Sequence, residues 1–214
     1  LNGDGSANAG DIFGFAATTS KSTEHFMYDA GVEANRRDAD GIPTFALDSE
    51  HTISVIEKMY NLYYENKGAY IDGSIGTFEN MLIDGQLLFL PGWLYMAQKI
   101  SADMTADYGI IPYPKYNEAQ ETYLSLVHDG TTIYCISSTV PDDSFPMVCA
   151  ATEAFAAESY RSVVPAYYDV ALKYRYSDDD QSAAMLDMIR DNITTDFFYA
   201  NNYSFTAMPG LICR

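Results

Sequence analysis

Residues 77–100 read TFENMLIDGQLLFLPGWLYMAQKI and, after a short polar gap, residues 107–115 read DYGIIPYPK. Thr77 has the hydroxyl that accepts from orphan helix amides, so a short helix is expected over 77–82. Asp84 and Gly85 supply the turn chemistry that stops it. Gln86 to Leu90 is a brief apolar run of strand length, closed by Pro91 and Gly92. Trp93 then opens a helix with Leu94, Ala97 and Ile100 along one side. Residues 107–111 form a second short strand, ended by Pro112 and Pro114. Helix, strand, aromatic turn, helix, strand is an α/β rhythm, and it sets the chain's only Trp at a strand end, where open α/β sheets bind ligands.

The rest of the chain extends that pattern. Residues 1–10 are nearly devoid of apolar side chains and read as a linker. Their NGDGSAN spacing is similar to a calcium loop without the glycine at position six, counted from Asn2, or the closing Glu. Apolar, β-like residues occupy 11–18, and 20–45 is a long irregular stretch with a turn at Asp38-Ala39-Asp40-Gly41. Asp48 and Ser49 are the N-cap candidates of a helix to about Asn66, with Ile53, Ile56, Met59, Tyr60 and Tyr63 as its apolar stripe. Strands are expected near 12–17, 86–90, 107–111, 124–128 and 131–136, the last two flanking His128-Asp129-Gly130. Further helices are expected from 142–144 to about Tyr160, from Val164 to Lys173 and from Asp179 to Asn192. Pro146 and Pro165 sit in the first turns of two of them.

Composition excludes several roles. A chain of 214 residues buries about 70% of its unfolded surface, enough for one or two cores. A formal net charge of −18 repels nucleic acid and anionic membrane alike. There is no run of 18 apolar residues that would span a bilayer and no export signal at the start. Cys135, Cys149 and Cys213 form neither a disulfide framework nor a zinc site, and inert buried thiols are the expected state of the first two. Asp178-Asp179-Asp180 favours the positive end of a helix more than a metal. His25, His51 and His128 lack metal-ligand spacing. There is no nucleophile elbow, Walker loop or dinucleotide fingerprint, so no enzyme, cofactor or metal is expected.

Phe78, Gly85, Gly92, Trp93, Tyr108, Gly109 and Pro112 match a phrase of the extracellular solute-binding proteins of bacterial ABC importers, in the large sugar-binding family that includes maltose-binding protein. The Tyr-Pro-Lys-Tyr turn at 113–116, a strand pair, an alanine-rich helix and Val164-Pro165-Ala166-Tyr167-Tyr168 follow in the same order. The run Lys173-Tyr174-Arg175-Tyr176 leading to Ser182, Met185, Leu186 and Ile189 resembles lipoprotein receptors of Gram-positive gut bacteria. The resemblance covers roughly residues 11–200. It implies a type II periplasmic-binding-protein-like lobe, an open mixed sheet flanked by helices, as the C-terminal portion of a longer receptor. Residues 11–111 with 163–200 would form the C-terminal lobe. Residues 112–162 would belong to the N-terminal lobe, with a hinge near Ile111-Pro112, and 201–214 would be a tail.

The same resemblance implies capture of a small solute, a carbohydrate, for ABC permease subunits at the cell surface, with a lipid anchor outside this chain. Trp93 is the candidate stacking platform, set against the plainer reading of a helix-capping core residue. Gly92, Tyr95, Phe26, Tyr28, His128 and Asp129 complete the candidate ligand-binding set. The alternatives are a cell-envelope glycan-binding module without transport and a glycoside hydrolase fragment. Leu124, Leu126, Ile133, Cys135 and Phe155 are expected to lack cover within one chain, so homodimerisation or mobility is expected there.

Overall fold

The computed structural model describes residues 2–71, 73–128, 130–131, 134–172, 180–201 and 204. The chain is a mixed α/β structure built on a parallel sheet of order β4-β1-β5. Strand β1 (Phe13–Ala16) is central. It pairs with β4 (Ala69–Tyr70) through Phe15↔Ala69, and with β5 (Leu87–Phe89) through Phe13↔Leu87 and Phe15↔Phe89. From β1 the chain passes through α1 (Lys21–Asp29), the antiparallel hairpin β2 (Asn35–Arg37) and β3 (Pro43–Phe45) and α2 (Glu50–Tyr60) to reach β4. It then crosses back through α3 (Ile75–Ile83) to β5, on the other side of β1. A reversal of that kind opens a crevice beyond the carboxyl ends of β1 and β5.

Two cores hold this unit. Ala17, Met27, Val32, Val55, Met59 and Tyr63 pack together under α1 and α2. Phe13, Ala16, Phe78, Met81 and Leu87 pack under α3. Ser49 caps α2, its hydroxyl accepting from Thr52 N at 3.1 Å. The helix then widens into a π turn (Asn61–Glu65). Residues 2–10 fold back on β1, with Asn8 N donating to the buried Asp11 carboxylate at 3.1 Å and Gln86 Nε2 donating to Ala9 O at 3.2 Å.

Several expectations need correction. Residues 20–45 are not irregular but carry α1 and the hairpin. Buried polar residues of α1 hide its helical period, while Asp38 accepts from Asp40 N and Ile42 N to tighten the hairpin turn, where Gly41 has φ +79°. Ser74, not Thr77, caps α3, because Thr77 N is the donor that Ser74 Oγ receives at 3.2 Å. Residues 107–111 are not a strand. Tyr108 instead turns inward to donate its hydroxyl to Ala97 O at 2.9 Å, and Ile110 leans on Ala97 and Leu186. Of 124–128 only β6 (Ser125–Leu126) is strand. It pairs in parallel with β7 (Ile193–Thr194), which has no apolar run to announce it. Among the described residues, Thr131 and 134–136 belong to no strand, while Thr132 and Ile133 lie outside the described residues.

The later helices are α5 (Phe145–Glu158), α6 (Asp180–Asp191) and the short α7 (Phe197–Ala200). Between α5 and α6 the described chain is mainly π-helical, over Ser159–Val163 and Ala166–Leu172. Helix α5 has Pro146 in its first turn as expected, yet none of its residues is buried. Leu124 is half-buried and Leu126 is buried against Tyr28, Ala34 and Tyr199, so both have cover. Cys135 and Phe155 are exposed, which corrects the buried-thiol reading of Cys135, while Cys149 is half-buried on its helix. Met147→Glu and Phe155→Glu should each leave the melting temperature nearly unchanged, within about 0.5 kcal/mol, since neither side chain leaves a core. Differential scanning calorimetry checks this. Asp178, Asp179 and Cys213 lie outside the described residues.

Candidate ligand site at the sheet crevice

Beyond the carboxyl ends of β1 and β5 lies a notch lined by Thr18, Lys21, Ser22, His25, Gly92, Trp93 and Tyr113, with Ile75 and Pro91 at its sides. Besides Ile75 at the start of α3 and Tyr113 after Pro112, its parts come from three places. Thr18 follows the central strand, the amino-terminal half of α1 follows Thr18, and Pro91, Gly92 and Trp93 follow β5. Pro91 withdraws a backbone donor from the ladder and so ends the strand. Gly92 is held beneath Met96: a Cβ there would lie 2.5 Å from Met96 Sδ. Trp93 starts a turn whose carbonyl accepts from Met96 N at 2.9 Å, and α4 runs only over Met96–Asp103 with Tyr95 at its N-cap. The expected helix start at Trp93 therefore shifts by one turn, leaving the indole outside the helix.

Trp93 is half-buried. Tyr95 stacks on it at 5.7 Å and 8° between ring planes. His128 meets it edge-on at 5.2 Å, and His25 does so at 6.5 Å. His25 also stacks on Tyr113 at 5.5 Å, and Tyr113 meets Phe26 edge-on at 5.0 Å. The indole Nε1 is enclosed and has no hydrogen-bond partner among the described residues. Tyr95 is 64% exposed, so the Trp93–Tyr95 pair forms a ledge beside the notch. The notch itself has about 10 Å³ for water-sized occupants, close to the space of one water. It takes a single polar group, not a ring.

Trp93, Gly92, Tyr95 and His128 thus come together, with Phe26 set behind them, beyond His25 and Tyr113. Phe26 belongs mainly to the core under α1 and α2. Tyr28 does not join them. It is buried at the far end of α1, where it lines a separate cleft of about 600 Å³ with Arg37, Leu126, Asp196 and Phe197, and it packs on Tyr199 at 5.4 Å. On a nine-residue helix, Phe26 and Tyr28 point in different directions, because residues two apart do not share a face. Asp129 lies outside the described residues. Sequence reasoning missed Thr18, Lys21, Ser22, His25 and Tyr113. Recognising α1 would have put Ser22 and His25, three apart, on one face, but their place beside Trp93 depends on β1 lying next to β5.

Behind this cluster sits Asp29, 1% exposed. Its Oδ1 accepts from Leu126 N at 2.8 Å, while Oδ2 has no partner among the described residues. Desolvation pushes its pKa up to about 8, against the opposing pull of the Leu126 amide. Burial, and then the Asp29 charge, also raise the pKa of the Tyr113 hydroxyl. Between the ordinary carboxylate value and about 8 the fold holds a proton that the unfolded chain has lost. This contribution to stability is complete below the unfolded pKa and fades as pH rises through the folded one. Asp29→Asn keeps the acceptor, removes that pH slope between about 4 and 8, and adds a partnerless amide. A net gain of about 1 kcal/mol at pH 7 is expected, growing toward pH 8. Urea titrations at several pH values check it.

No known family, curated protein or solved structure matches the chain. No group of three or more His, Cys, Asp or Glu suited to a metal occurs among the described residues, and no described helix is long and apolar enough to cross a membrane.

Proposed function

We propose that the protein is the capture component of a bacterial ABC importer, a type II periplasmic-binding-protein-like lobe that binds a carbohydrate at the cell surface and presents it to permease subunits. It catalyses no reaction. The observation that supports this reading best is the position of Trp93: a half-buried indole, ledged with Tyr95, at the point where the strand order of an open sheet reverses. A sugar presents an apolar C–H face and a rim of hydroxyls. A flat indole covers the first at little rotamer entropy, and convergent polar groups bind the second. The order of motifs from Phe78 to Pro112 supports the same reading.

Thermal denaturation in the presence of mono- and oligosaccharides, amino acids, peptides and polyamines tests it. A sugar at 100 times its dissociation constant adds about 2.7 kcal/mol of stability. Stabilisation by peptides or polyamines, with none by any sugar, overturns the carbohydrate reading. Release of reducing ends from an oligosaccharide overturns the statement that no reaction is catalysed.

A further inference from the structure

The cleft at the far end of α1, about 600 Å³, has the volume of sites that enclose a small molecule, and it shares no lining residue with the notch. One wall leads into β2. Side chains two apart in a strand share a face, and Glu33, Asn35 and Arg37 all line the cleft. The opposite wall runs from Thr194 to Asn201, through the N-cap of α7. Asn35 ties the walls together, its Nδ2 donating to Asp196 Oδ2 at 2.6 Å. Asp196 Oδ1 accepts from Phe198 N and Tyr199 N, so that carboxylate is fully engaged. Two charged heads keep capacity for a ligand. Arg37 donates Nη1 to Gly41 O at 2.6 Å and stands 6.0 Å from the centre of the Phe197 ring. Its Nε and Nη2, an edge that grips a carboxylate with two parallel bonds, have no partner among the described residues. Glu33 Oε2 accepts from Arg36 Nε at 2.6 Å in an exposed pair, which holds weakly and leaves Oε1 open. The Thr194 and Thr195 hydroxyls and Asn201 Oδ1 carry no hydrogen bond among the described residues.

We infer that this cleft binds a short linear peptide of three or four residues in extended form, its free α-carboxylate on Arg37 and its free α-ammonium at Glu33. The spacing of the two charges carries the inference. Glu33 and Arg37 are four residues apart, so their Cα atoms lie at most about 14 Å from one another, and an extended peptide of three or four residues spans about 10–14 Å. Its two ends therefore meet opposite charges at once, which also fixes its direction. A single amino acid is too short to reach both, and a neutral sugar engages neither charge. Between the ends, the Thr194 and Thr195 hydroxyls and Asn201 Oδ1 face peptide amides that need partners, while Leu124, Leu126 and Phe197 offer apolar surface to the side chains. A zwitterionic peptide has no net charge, so the formal charge of −18 on the protein does not repel it as a whole. The site is independent of the carbohydrate reading, which concerns Trp93.

Isothermal titration of the protein with trialanine and tetra-alanine, beside alanine and the N-acetyl, C-amide and doubly blocked forms of tetra-alanine, tests the assignment. The better of the two free peptides should bind at least tenfold tighter than alanine, and tetra-alanine at least tenfold tighter than either singly blocked form. Arg37→Gln should bring the acid-to-amide ratio below threefold and leave the amine-to-acetyl ratio in place. Glu33→Gln should do the reverse. Both are exposed positions, and an unaltered melting temperature shows that each variant is folded. Trp93→Ala should leave peptide binding unchanged. If the doubly blocked peptide binds as tightly as the free one, or alanine as tightly as tetra-alanine, the inference fails. If no peptide binds, it fails and the carbohydrate reading is untouched. If Trp93→Ala abolishes peptide binding, the peptide sits at the notch and both fail.

Discussion

Phe78→Ala should destabilise the protein by about 3–5 kcal/mol, the range for an aromatic side chain deleted from a close-packed core. Phe78 is 0% exposed and lies between α3 and the sheet with Phe13, Ala16, Met81 and Leu87. It meets Tyr70 edge-on at 5.8 Å, and Tyr70 in turn stacks on Phe13 at 4.9 Å. Removing it therefore leaves a void touching all three strands of the sheet, which paired backbones cannot collapse to fill. The ring also approaches Gly73 so closely that a Cβ there would lie 2.4 Å from it. At about 2–4 °C per kcal/mol for a chain of this size, the melting temperature should fall by roughly 6–20 °C. A loss below 1 kcal/mol in urea titrations would mean that α3 does not anchor the sheet.

Trp93→Ala should weaken sugar binding by tens-fold with the fold intact. A buried aromatic anchor contributes on the order of 2 kcal/mol to such contacts. The fold should survive because Trp93 belongs to none of the core clusters and rests mainly on Tyr95, His128 and His25. The comparison to make is the dissociation constant alongside the melting temperature. Loss of binding together with a melting temperature lowered by 10 °C or more would make Trp93 a structural residue and return the plainer reading. Normal binding by the variant would remove Trp93 from the site.

The legible parts of the sequence were those with strong local chemistry. The run 86–90, stopped by Pro91 and Gly92, reads as a strand because nothing else accommodates a short apolar segment between a helix stop and a proline. The helix after Ser49 reads equally well, since cap and stripe agree. Helix α1 was not legible: its mostly polar residues include Ser22, Glu24, His25 and Asp29, and all four are buried, so the hydrophobic period is diluted by buried polar groups, of which Ser22 and His25 line the notch. Strands β4, β6 and β7 have two residues each, too few for alternation to show, and their pairing is decided by tertiary contacts such as the Asp29 hydrogen bond to Leu126. At the site, Gly92, Trp93 and Tyr95 were legible from one local phrase. Tyr28 was misplaced because sequence proximity to Phe26 says nothing about which end of a helix a side chain serves. His25 and Lys21 depend on β1 lying beside β5, a long-range fact with no local signature.

Trp93 is the only tryptophan in the chain, so its fluorescence reports on the proposed site and nowhere else. The most direct measurement is a titration of that emission with D-glucuronate, D-galacturonate, D-glucose, D-galactose and maltotriose at pH 7. Stacking of a sugar ring on the ledge predicts a saturable change in intensity and a shift in the emission maximum, with a midpoint equal to the calorimetric dissociation constant. A sugar that binds by calorimetry and leaves the Trp93 emission unchanged through saturation would contradict the account.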